Sequence, residues 1–275
     1  MKDRIREVSF ELLRPEQIIE EKKRCSLVFI PVGGLEYHGP HLPLGVDAIN
    51  ATIVAREVCK AINKGLVIPT LYWSTERERP PRMAEGLGFK PDDWIVGMDF
   101  PSAQWKSHYY QEHVFALVLA SKIEMFINHG YKVIMIVNGH GAVNHMETIE
   151  RLAKHYSHVS NCTVEWGLAL PDEITEKNLV GHADIYEVSL MMYYQTLLGE
   201  DELVDMRTLP VKGKQIKYQD YSIVDGLGFG STPDPEQIVR TDPRNASKEL
   251  GEKIFKDIVK KFIGMTNKVL QEKGL

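Results

Sequence analysis

A mainly parallel, three-layer α/β fold is what this sequence predicts, on three observations. Cys25 to Val32, Tyr131 to Val137 and Cys162 to Ala169 are short, continuously apolar runs, the pattern of strands buried on both faces. Longer segments with helical apolar spacing alternate with them. No internal repeat, low-complexity segment or convincing linker breaks that alternation, so residues 1–275 read as a single domain with its sheet flanked by helices.

The elements follow in order. Residues 1–24 are highly charged, with a helix start near Pro15-Glu16-Gln17. The strand Cys25 to Val32 is closed by Pro31 and Gly33. Ala48 to Asn63 is helical, with Ile49, Ile53, Val54, Val58 and Ile62 as its apolar positions. Leu66 to Tyr72 is a second strand. Residues 73–107 are irregular and carry Arg77, Arg79 and Arg82; a lid or binding loop and a surface insertion or oligomer contact fit equally well. Gln104 to His129 is a long helix, stopped by Gly130 as a glycine just past a helix end would do. The strand Tyr131 to Val137 runs into Asn138-Gly139-His140-Gly141, and a helix from about Asn144 to His155 follows. After the strand Cys162 to Ala169, Pro171 to Val180 connects to a helix that opens at His182 or Ala183 and continues through Leu198. Residues 205–240 read as loops and a short hairpin around GLGFGSTPDP, and Ser247 to Lys268 as a final amphipathic helix, with Asp242-Pro243 as its boundary signal.

Composition narrows the function. The net charge is −5 and no long basic run occurs, which argues against nucleic acid. No apolar stretch is long enough to span a bilayer, and the charged N-terminus does not read as a secretory signal. Three cysteines without Cys-x-x-Cys spacing suit reduced thiols and a cytoplasmic protein.

The chemistry-bearing residues cluster on loops. Glu36, His38, His41 and Asp47 follow the first strand directly, and a strand followed by a glycine turn is where open α/β sheets place ligand sites. In an extended exit, Glu36 and His38 point to one side. Asp47, just before a helix, can reach back across the loop and bridge two ions. His140 ends another strand, and in a parallel sheet both strand ends open on one edge. A lone histidine or aspartate in a loop is ordinarily structural or solvated, but two glycine-bearing loops with two carboxylates and several imidazoles suit a metal site. His182 and Glu187 form a third cluster. His182 at a helix mouth suits proton transfer, and Glu187 can complete a metal shell or hold a water. The alternative is a capping cluster, with Asp184 at the helix N-terminus.

GGLEYHGPHLPLGVD, then NGHG, then HADIYEVS, closely resembles the creatininase family of creatinine amidohydrolase-like proteins, and TDPRNASKELGEKI resembles the family's closing segment. The resemblance implies a Rossmann-like α/β fold, two divalent metal ions and a homo-oligomer, often a hexamer. It also implies that Glu36 and His140 bind one metal and His38 the other, with Asp47 between them. His182 matches the family's active-site histidine, a proton shuttle, and Glu187 the glutamate that follows it. His41 has no family metal role and reads as a supporting histidine. Two departures stand out. Creatininase takes its last metal-binding acid two residues after the histidine of its NGH motif, where this chain has Ala142; Glu187 is expected to replace it. The tryptophans near creatininase's active-site histidine have no counterpart between Thr175 and Gly181.

The expected chemistry is hydrolysis of a small polar cyclic substrate by metal-activated water, with Zn, Mn, Fe or Co as candidate ions. The bond expected to break is a cyclic amide C–N bond. The alternative is carbon–carbon cleavage of a cyclic polyhydroxy diketone such as 3-dehydro-scyllo-inosose, a reaction associated with inositol breakdown in some family members. A polar substrate would suit the arginine-rich excursion and Lys212 to Gln219. A non-catalytic metal-binding subunit is the reading from another class.

Overall fold

A computed structural model of the chain describes residues 7–79, 81, 89–101, 103–176, 181–209 and 242–275. Arg82, the segment Lys212 to Gln219 and the GLGFGSTPDP loop lie outside the described residues. Among the described residues, four parallel strands form the sheet: β1 (Leu27–Val32), β2 (Leu66–Val67), β3 (Val133–Asn138) and β4 (Thr163–Leu168), in the order β2-β1-β3-β4. Every residue of β1 and β3 is buried, as the unbroken apolar runs require of central parallel strands.

The period of two divides these strands between two cores. Leu27, Phe29, Val133, Met135 and Val137 face one side. There they meet α2 (Val46–Ala61), α6 (Ile185–Leu198) and α7 (Lys248–Lys273). Val28, Ile30, Val32, Ile134 and Ile136 face the other, against α3 (Glu112–Asn128) and α4 (Val143–Val159). The result is the predicted three layers. Further α-helices among the described residues are α1 (Pro15–Arg24), before β1, and the short α5 (Asp172–Glu176), within the expected connection. Among the described residues no helix is long and apolar enough to cross a membrane.

Several boundaries shift. β2 covers only Leu66–Val67, because Pro69 cannot donate to a ladder; the chain touches the sheet once more, at a Val32–Leu71 bridge. α3 starts at Glu112, not Gln104: His108 N donates to Leu35 O and Tyr110 N to Ser74 O, which holds that stretch away from helical bonding. α2 begins two residues early, so Asp47 lies in its first turn. The stop at Gly130 is as expected, with φ +78° and Gly130 N and Tyr131 N closing on Ile127 O and Phe126 O. The cap of α7 is Ser247, whose Oγ accepts from Leu250 N; Asp242 instead caps the short 3₁₀ turn Pro243–Asn245.

Candidate metal centre

β1 and β3 end level with each other. Val32 pairs with Asn138, and Gly139 N donates to Val32 O at 2.8 Å. The loops carrying Glu36 and His140 therefore leave the same sheet edge side by side. The first turn of α2 packs directly onto both exits. A Cβ on Gly139 would lie 2.0 Å from Asp47 O, and one on Gly33 would lie 2.6 Å from Ala48 N. Only glycine permits that approach, and it brings Asp47 between the two loops.

Among the described residues, two groups of carboxylates and imidazoles share Asp47, and a third brings Glu36 and His38 together with His182. In the first, His140 Nδ1 lies 3.0 Å from Glu36 Oε2 and 3.0 Å from Asp47 Oδ2. In the second, His38 Nε2 lies 3.4 Å from Asp47 Oδ1 and 3.5 Å from Glu187 Oε1. The two oxygens of Asp47 thus face different groups. Glu36 Oε2 is also 3.9 Å from His38 Nε2. A tetrahedral ion with ligands at about 2.0–2.1 Å has edges of about 3.3 Å, so these separations suit metal ligation.

The donor chemistry passes a second test. His38 Nδ1 donates to Glu36 O at 3.0 Å, so the neutral ring carries its lone pair on Nε2. That atom is buried without a hydrogen-bond partner and faces carboxylate oxygens. Acceptors converging on one point need a cation or a proton between them. His140 presents Nδ1 to Glu36 and Asp47, and its other ring nitrogen, Nε2, is buried without a hydrogen-bond partner.

The electrostatics are strong because Glu36, His38, Asp47 and His140 are all buried. Burial opposes ionisation of Glu36, yet the adjacent His140 and His182 hold its carboxyl well below the usual range. Burial likewise opposes charge on His38 and His140, and is overcome by Glu187 and Asp47 for the first and by Glu36 and Asp47 for the second; both are raised well above an ordinary imidazole. Burial works against Glu187 too, but His38 keeps its carboxyl below normal.

His182 arrives from the mouth of α6. Its Nε2 donates to Tyr37 O at 2.8 Å, and its ring centroid is 4.2 Å from that of His38. Burial and the neighbouring His38 lower its pKa. Ala183 holds φ +53°, a left-handed conformation costing a non-glycine residue about 1–2 kcal/mol. The turn lets His182 face inward while Ala183 N donates to Glu187 Oε2. Asp184 caps α6 through Oδ1, accepting from Tyr186 N and Glu187 N. Asp184 thus meets the capping reading, while His182 and Glu187 line a cavity. His41 is buried and its Nε2 donates to Ala183 O at 3.3 Å, linking the first loop to the third.

Other residues at the site had no motif to announce them. Tyr109 Oη donates to Glu36 Oε1. Asn138, visible only as the first letter of Asn-Gly-His-Gly, accepts from His140 N and from the buried His145 and donates back to His140 O. A cavity of about 150 Å³ opens onto Glu36, Asp47, His140, His182 and Glu187, with Glu76, Arg79 and Met98 from the irregular excursion on its wall. That excursion therefore contributes to the site. Ala142 lines the cavity and offers no ligand.

Known proteins resemble this chain on several grounds. The family model Creatininase, described as creatinine amidohydrolase, matches residues 11–92 and 96–266. The 3-dehydro-scyllo-inosose hydrolase of Thermotoga maritima is 31% identical over 134 residues, which make up 49% of this chain and 36% of that protein. The match thus spans little more than a third of that relative's length. Among solved structures, a creatininase designated Mn superposes with a TM-score of 0.64 at 19% identity, over 97% of this chain and 99% of the other. A mutant creatininase of Zn–Zn type gives 0.62 at 20% identity, over 97% and 98%. At those identities the structures speak for the fold.

Proposed function

This chain belongs to the creatininase family, and on that premise we propose that it is a metal-dependent hydrolase that opens a small, polar, carbonyl-bearing ring. The observation that carries the reading is the pair of carboxylate–imidazole groups sharing Asp47. Glu36, Asp47 and His140 would hold one divalent ion, and His38, Asp47 and Glu187 the other. When bound, such ions supply an acidified water and Lewis acidity toward a carbonyl oxygen. Zinc and manganese are the first candidates, because those ions appear in the designations of the creatininase structures. A purely structural site would be closed, whereas a cavity opens onto these residues.

The chain's own groups have separable tasks. Tyr109 holds Glu36, and the Asn138 side-chain amide holds the His140 backbone. His182, with its Nε2 hydrogen committed to Tyr37 O, exchanges a proton through Nδ1. Water adds to the carbonyl carbon, the bond to the ring neighbour breaks, its electron pair leaves with that neighbour, and His182 delivers the proton there. For a cyclic polyhydroxy diketone the departing atom is the carbon next to the second carbonyl, leaving as that carbonyl's enolate, which takes the proton. The name of the 31% identical relative favours this reading, as does Ala142 in place of the creatininase acid. Cleavage of a cyclic amide, with nitrogen departing, is supported by the description of the family model and by the fold.

The test is a screen of the metal-loaded enzyme with cyclic diketones, cyclic amides and lactones. A new carboxylate without an amine assigns carbon–carbon or ester cleavage, and release of an amine assigns C–N cleavage. His182→Ala should keep the metal and lose at least 10²-fold in kcat, on the scale of general acid–base catalysis. Loss of metal together with unfolding would make His182 structural instead.

A further inference from the structure

We propose that Glu76 is a substrate-binding residue that accepts hydrogen bonds from ring hydroxyls, with Arg79 as its positioning residue. The proposal rests on the ring-opening reading above and names the feature of the ring that is recognised. Both side chains line the cavity, and each is only 9% exposed. Arg79 Nη2 donates to Glu76 Oε1 at 3.2 Å, and Arg77 N donates to Glu76 Oε2 at 2.9 Å. An ionised carboxylate has about four acceptor positions, so two bonds leave room for two more donors.

The pair is built into a rigid wall. Arg79 Nε donates to Gly97 O at 2.9 Å, Arg79 N to Ile95 O at 2.7 Å and Gly97 N to Arg77 O at 3.1 Å, around an antiparallel bridge between Glu78 and Val96. Gly97 has φ +56°, and a Cβ there would lie 2.6 Å from the hydroxyl oxygen of Tyr109. Tyr109 accepts from Met98 N at 3.1 Å and donates to Glu36. Glu76 is therefore fixed, through a chain of short contacts, relative to the residues that would hold the metal.

A buried ion pair is poor evidence of stability, since apolar residues of similar volume often do as well. On a cavity wall beside a hydrolytic centre, its value lies in the ligand it orders. A carboxylate rejects anions and bare carbonyls and demands donors. Two adjacent acceptor positions suit vicinal hydroxyls on a neutral ring. A cyclic amide offers only isolated N–H donors, not an adjacent pair, and fills at most one of these positions.

The experiment is calorimetric binding of myo-inositol, an unreactive cyclic polyol, and of hydantoin, a cyclic amide, to metal-assayed protein as purified. Wild type is expected to bind inositol, and Glu76→Gln to weaken it at least tenfold while metal content stays unchanged and hydantoin binding changes by less than the inositol affinity does. Because the Gln variant removes the carboxylate that pairs with Arg79, the double variant Glu76→Leu/Arg79→Met is measured beside it and should lose inositol binding to the same extent while staying folded by circular dichroism. No inositol binding by wild type, equal inositol affinity in wild type and variants, or a fall in hydantoin affinity instead would overturn the proposal. Turnover of cyclic diketones is scored separately. If turnover is absent but inositol binding depends on Glu76, the reaction assignment fails and the recognition stands.

Discussion

Gly139→Ala should disable the site without touching a ligand. The added Cβ would lie 2.0 Å from Asp47 O, 2.7 Å from its carbonyl carbon and 3.0 Å from its Cα. All three are backbone atoms at the start of a sixteen-residue helix, so no side chain can swing aside. Relief to ordinary contact near 3.4 Å demands a shift of more than about 1 Å, with a stability cost of about 1–3 kcal/mol for overpacking. The larger effect is on Asp47, whose two oxygens serve both groups. Metal sites tolerate ligand displacements of about 0.2 Å, and a misplacement of about 1 Å costs on the order of 10²-fold in rate. The assay is metal content by elemental analysis, with a urea midpoint measured in parallel. Gly264→Ala is the control. A Cβ there meets nothing within 4 Å, and it should stabilise α7 by up to about 1 kcal/mol. A Gly139→Ala protein with wild-type metal content and wild-type midpoint would refute the role given to this contact.

Two further predictions separate the parts of the site. Asp47→Asn should lower the content of both ions, while His38→Ala should lower only one, so metal stoichiometry per chain distinguishes a shared ligand from a private one; equal losses would argue against sharing. His41 is kept neutral by burial, with its pKa pushed down to about 4, against about 6.5 in an unfolded chain. The unfolded state then binds the extra proton between those values, so stability is full above about pH 6.5 and falls as pH drops toward 4, by up to about 3 kcal/mol. Urea titrations in chelator should show a shallower acid loss for His41→Asn than for wild type; parallel slopes would refute it.

Much of the fold was legible because β1 and β3 carry continuous apolar runs and the glycines after them have packing reasons. The candidate ligands were legible because metal chemistry draws on those side-chain types at strand ends. What escaped the sequence depends on distant partners. Trp105 to Tyr110 looked like the start of α3, but Leu35 and Ser74 hold its backbone. Tyr109 and Glu76 sit in a stretch without periodicity, and only the folded chain shows that they face Glu36 or its cavity, whereas Arg79 was marked by its arginine-rich surroundings and not by its place on that wall. The left-handed turn at Ala183 leaves no trace in composition, since glycine or asparagine would ordinarily mark it.

The pairing of Val32 with Asn138 has a consequence for how the chain assembles. Strands β1 and β3 lie about a hundred residues apart in sequence, a long-range pairing that closes late and slowly. A slip of one position would carry His140 about 3.3 Å along the sheet and turn alternate side chains to the wrong face. The two-loop ligand set exists only in the correct register. Metal uptake during refolding would therefore act as a proofreader of strand pairing, rewarding one alignment over its neighbours, and excess metal in the refolding buffer should raise the yield of native protein more than it raises the rate.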